Sequence, residues 1–131
     1  MLTSERTDRI LEQLQKDDRI LAAYLMGSAA TGNMRPDSDI DLAVLIDGSK
    51  NLPELERLKL ASDLAFELGI PVDIGEISSK NLVYSKEAVL GGLRIYARNE
   101  SEADLKISTI LGMYMVFNED RKEVLNAYRA R

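Results

Sequence analysis

A chain of 131 residues, 45% hydrophobic and 30% charged, suits one globular domain with a real core and is too short for a catalytic domain plus a full substrate-binding domain. Cysteine and histidine are both absent, which excludes zinc sites of the usual ligand sets and any Cys-His or Ser-His-Asp triad, so chemistry must run on carboxylates, hydroxyls, Lys, Arg or a hard metal. The net charge of −5 argues against direct nucleic-acid binding, and the lack of a long apolar run or an apolar leader points to a cytoplasmic protein without membrane contact.

In chain order, Ile10, Leu11 and Leu14 fall at helical spacing and predict a first helix over Ser4 to Lys16, with Ser4 as its cap. Ile20 to Met26 is an unbroken apolar run and reads as a buried strand. Gly27-Ser28 then opens a short helix, and Gly32, Asn33, Pro36 and Asp37 form a loop before a second strand, Asp39 to Ile46. A long helix follows from Leu52 to Leu68. Its apolar face is traced by Leu52, Leu55, Leu58, Ala61, Leu64, Ala65 and Leu68, Asn51 and Glu54 stand at capping-box spacing, and Gly69 is the stop. Ile70 to Ile77 reads as a third strand, Asn81 to Leu90 as a short helix, and Leu93 to Ala97 as a fourth strand. Ser101 and Asp104 mark the start of a C-terminal helix. The expected fold is a single α/β (α+β) domain over 1–131, a mixed β-sheet with helices mainly on one face and a helical segment from about residue 101.

Chemistry concentrates where Asp39 and Asp41 share one face of a strand while Ile40, Leu42 and Val44 point into the core. Two carboxylates about 7 Å apart repel by roughly 2 kcal/mol at an effective dielectric of about 20, and Asp is a poor strand former, so a positive partner is called for. Mg²⁺ suits best, because it is commonly shared between one or two carboxylates and substrate phosphates. An isolated Asp-x-Asp usually lines only the wet face of an edge strand, and an isolated Gly-Ser is usually a strand end and helix cap. The two together say more. Gly27 lets a phosphate approach the main chain, helix N–H groups attract it, and Ser28 adds a hydroxyl donor. If the third strand pairs beside the second, Asp73 joins the other two carboxylates in a two-metal site of the phosphoryl-transfer kind, with Asp73 as the base.

These residues resemble the nucleotidyltransferase superfamily that includes DNA polymerase beta, and most resemble its minimal nucleotidyltransferases. The signature is a Gly-Ser, a spacer, an Asp-x-Asp and a later strand Asp, here Gly27, Ser28, Asp39, Asp41 and Asp73. The resemblance implies a palm-like core, Mg²⁺-ATP as donor, and transfer of a nucleoside monophosphate to an acceptor hydroxyl with release of pyrophosphate. It further implies an antitoxin paired with a helical HEPN ribonuclease toxin, which some members silence by attaching AMP to a tyrosine. Relatives often carry Arg where this chain has Ala29 and Thr31, leaving Arg35, Lys80, Lys86 and Arg94 as other sources of charge. Two alternatives are an aminoglycoside-type small-molecule nucleotidyltransferase and a non-catalytic toxin-binding module. The apolar face of the last segment, from Leu105 to Tyr128, suits core packing and also a partner interface.

Overall fold

Strand β1 (Ile20–Met26) is apolar nearly throughout because it lies inside a four-stranded sheet, between β2 (Ile40–Ile46) and β4 (Leu93–Ala97) with β3 (Val72–Ile77) beyond β2, and has helices on both sides. The computed structural model describes residues 2–32, 35 and 38–129, so part of the expected loop (Asn33, Met34, Pro36 and Asp37) lies outside the described residues. Helix α1 (Ser4–Lys16) precedes β1. After it come α2 (Gly27–Thr31), β2 (Ile40–Ile46), α3 (Glu54–Leu68), β3 (Val72–Ile77), α4 (Leu82–Gly91), β4 (Leu93–Ala97) and α5 (Glu100–Arg129). β1 runs antiparallel to β2 and β4, whereas β2 and β3 are parallel. The expected mixed sheet is therefore present.

Helices cover both faces of that sheet, where one main covered face was expected. Ile10 and Leu14 of α1 pack with Leu64 and Leu68 of α3 against Ala23, Leu25, Leu42 and Val44. On the other side Ala88 of α4 and Ala103, Ile107 and Ile110 of α5 pack against Leu21, Tyr24, Ala43 and Leu45. The reason lies in β1 and β2, whose alternate residues are apolar in both directions. A register irregularity between Ile20 and Ala22 turns Leu21 and Ala22 toward the same side.

Local chemistry corrects several expected ends. The first helix is capped by Thr3, whose hydroxyl accepts from the Arg6 amide at 3.2 Å, and not by Ser4. Helix α3 starts at Glu54 after Pro53, with no side-chain cap, so Asn51 falls outside the expected capping box; Gly69 ends it in the left-handed region at φ 70°. Its inward residues are Ala61, Leu64 and Leu68, while Leu55, at 80% exposure, and Leu58 face solvent, as does Phe66 at 93%. Helix α5 begins at Glu100, one residue before the expected start, because Asn99 and not Ser101 supplies the cap: Asn99 Oδ1 accepts from the Glu102 amide at 3.0 Å. Only Ala103, Ile107 and Ile110 of its 30 residues are buried, so most of the stripe from Leu105 to Tyr128 faces solvent.

Strand β3 is an edge, and two of its outward carbonyls are occupied. Arg57 Nη1 donates to the Ile74 carbonyl at 3.3 Å and Asn81 Nδ2 to that of Glu76 at 3.2 Å. No helix among the described residues is long and apolar enough to cross a membrane.

Candidate active site

Parallel pairing of β2 with β3 sets Asp41 directly beside Asp73, and antiparallel pairing of β2 with β1 sets Asp41 beside Met26, the residue before Gly27. The three segments singled out in the sequence thus meet at one end of the sheet. Asp39 lies just before β2, two residues from Asp41, and all three carboxylates are on exposed residues. Neighbouring strands are about 4.8 Å apart, so the Asp41 and Asp73 side chains rise from adjacent points on the face covered farther along by α4.

Gly27 has φ 61°, a conformation that disfavours other residues, and a Cβ there would stand 3.5 Å from Asp41 Oδ2. The turn therefore lies close to the Asp41 carboxylate. Gly27 is also the first residue of α2, which has no side-chain cap at its start, and Thr31 Oγ1 donates back to the Gly27 and Ser28 carbonyls at 3.4 Å each. Thr31 therefore serves the turn itself where relatives often carry Arg.

Burial raises the pKa of Asp41, and the charges of Asp73 and then Asp39 push it up further. No ion pair among the described residues involves any of the three. Nor do they, as placed, form a closed cage of three acidic ligands around one ion. Such an open, uncompensated pair of carboxylates beside a phosphate-sized turn fits a hard cation that keeps waters and phosphate oxygens as its remaining ligands. Two of the other expected sources of charge are engaged elsewhere. Arg94 donates to Tyr24 Oη at 2.8 Å and to Asp104 at 2.7 Å, and Lys86 pairs with Glu87 at 3.2 Å. Arg35 and Lys80 are exposed.

Sequence reasoning missed Tyr84. From α4 it lays its ring across Gly75 of β3, the next residue after Asp73 on the same face, and a Cβ at Gly75 would collide with the tyrosine hydroxyl. Burial, followed by the charges of Asp73 and Asp41, pushes the Tyr84 pKa up to about 12, against a smaller opposing influence of Arg57. The one available signal was a glycine inside a strand, which marks a close approach by another group.

A Gly-Ser turn packed on strand-borne aspartates, at one end of a mixed sheet, is the arrangement of a nucleotidyl-transfer palm. Residues 8–101 match the family described as Polymerase beta, Nucleotidyltransferase, and the chain belongs to it. It is similar to a protein adenylyltransferase, MntA, of Shewanella oneidensis, with 29% identity over 103 residues, 79% of this chain and 72% of that protein. A crystal structure of a toxin-antitoxin with AMP-PNP superposes at TM-score 0.80 and 25% identity, over 94% of this chain and 98% of that one. A tri-AMPylated Shewanella oneidensis HEPN toxin in complex with MNT antitoxin matches at TM-score 0.77 over 98% of this chain and 99% of that one; at 23% identity this speaks to the fold alone.

Proposed function

We propose that this chain is an antitoxin of the cytoplasm that moves AMP from ATP to a hydroxyl, most simply a tyrosine, of a HEPN-type toxin protein. The observation that carries the reading is the register placing Asp41 beside Asp73 and beside the Gly27-Ser28 turn. Its support from comparison is the similarity to a protein adenylyltransferase and to chains of toxin-antitoxin structures.

Asp39, Asp41 and Asp73 would hold Mg²⁺, two ions in the full site. When bound, Mg²⁺ supplies charge neutralisation on the phosphates and acidifies the acceptor hydroxyl. Gly27 and Ser28 bind the phosphates through main-chain N–H groups and the serine hydroxyl. Asp73 accepts the acceptor's proton as the acceptor oxygen bonds to the α-phosphorus and the bond to pyrophosphate breaks. The long, solvent-facing stripe of α5 favours a protein acceptor over a small molecule. A concavity of about 790 Å³ lies at the far end of β2 and β3 from the acids, lined by Ile46, Ile77 and Lys106 among others, and does not enclose an acceptor at the site.

The test is mass spectrometry of a HEPN protein encoded beside this chain after incubation with the chain and Mg²⁺-ATP. Gain of one or more adenylates is expected, with none from the double variant Asp39→Asn, Asp41→Asn. Unmodified partner that is nonetheless neutralised would instead establish a non-catalytic binding module.

A further inference from the structure

Three observations converge on a side chain outside the acidic set. Gly75 leaves a notch in β3 that the Tyr84 ring fills, so the hydroxyl rests on the strand that carries Asp73. Asp73 and Gly75 share a face of β3 two residues apart, about 7 Å along the strand. The α4 turn bearing Tyr84 is fixed, because the fully buried neighbour Ser85 accepts from the Ser78 amide at 3.0 Å and donates to the Ser78 carbonyl at 3.1 Å.

The notch, the anchored turn and the shared face point to Tyr84 as a positioning residue: we propose that its hydroxyl donates a hydrogen bond to the Asp73 carboxylate and aims the second oxygen toward Asp41 and the cation. A neutral phenol suits this task, since it adds a donor without adding charge to a site that must attract a cation. Among the described residues no hydrogen bond engages that hydroxyl, to Asp73 or to any other group, and it is not sealed away from solvent, so the bond to Asp73 forms as the site is loaded. A ligand carboxylate left to rotate would lose metal affinity, as outer partners of metal ligands usually show when removed. The inference rests on the proposed function, since it assumes that the acids bind a divalent ion.

Its test reads metal binding directly. Mn²⁺ is titrated into parent, Tyr84→Phe and Tyr84→Leu proteins with AMP-PNP and followed by electron paramagnetic resonance, and melting is recorded in EDTA. Tyr84→Phe keeps the ring, so it should melt within about 2 °C of the parent yet bind Mn²⁺ about tenfold more weakly, the low end for loss of an outer partner. Tyr84→Leu should lose both. Parent-like Mn²⁺ affinity in Tyr84→Phe overturns the proposal, as does a melting loss in Tyr84→Phe equal to that of Tyr84→Leu, which would assign the residue to packing. A parent that takes up no Mn²⁺ with AMP-PNP overturns the proposed function as well, which separates the two failures.

Discussion

Replacing Asp41 by Asn should abolish AMP transfer and, in the absence of metal, make the protein more stable. Asp41 and Asp73 are direct neighbours across parallel strands, and Asp39 stands two residues away. At carboxylate separations of about 5 to 7 Å and an effective dielectric of about 20 to 80, each pair repels by roughly 0.6 to 3 kcal/mol. Exposure of both side chains favours the watery end, so about 1 kcal/mol is relieved on neutralising the central one. For a domain of this size that corresponds to a rise in Tm of about 3 to 5 °C. The pH dependence has a definite sign. A carboxyl whose folded pKa is raised favours the folded state at low pH and burdens it as pH climbs through the raised value. The advantage of Asp41→Asn over the parent should therefore be small below Asp41's ordinary pKa, grow just above it, and level off toward neutrality. Thermal denaturation in EDTA across this range, at low and high salt, measures it, and salt should shrink the difference. Mg²⁺ with AMP-PNP should stabilise the parent and not the variant. An Asp41→Asn protein that melts lower than the parent in EDTA at neutral pH would refute the reasoning, because the carboxylates would then not be in conflict.

Other substitutions probe the frame around the site. Gly92→Ala would press a methyl group onto the Ala88 carbonyl and to 2.7 Å from that of Leu25, both main-chain atoms, and should cost about 1 to 3 kcal/mol in urea unfolding. Leu64→Ala removes a fully buried side chain and should cost about 2 to 5 kcal/mol by the same measurement. Phe66→Ser, two residues along the same helix, should change stability by no more than about 0.5 kcal/mol, since Phe66 is 93% exposed.

The elements were legible in the sequence, because apolar period and turn residues speak locally, whereas the approach of Asp73 to Asp41 hung on the third strand pairing beside the second, which it does. Ile20–Met26 ends where its apolar run ends, Leu93–Ala97 keeps its expected bounds, and Gly69 stops α3 where its φ requires a glycine. What stayed hidden depends on neighbours distant in sequence. Helix α3 is apolar around much of its circumference, so only its seat on the sheet decides that Leu64 is covered and Leu55 is not. Asn99–Glu102 and Ser101–Asp104 have the same spacing, and only the first pair ends where β4 releases the chain. Tyr84 gains its place from Gly75, across the connection from β3 to α4, which no local pattern encodes. Coverage of both sheet faces was readable in principle from a seven-residue strand with no charged side chain, whose one polar atom is the Tyr24 hydroxyl.

The guarded rim of β3 bears on how this protein can meet others. An open sheet margin is a template onto which a foreign strand can zip, and fibril growth exploits the same opening. Here an incoming strand would first have to evict Arg57 and Asn81 from the Ile74 and Glu76 carbonyls, forfeiting about 0.5 to 1.5 kcal/mol for each bond. At that margin recruitment by β-augmentation is obstructed, copies crowded together are kept from stitching into ribbons, and association is diverted to helical surfaces.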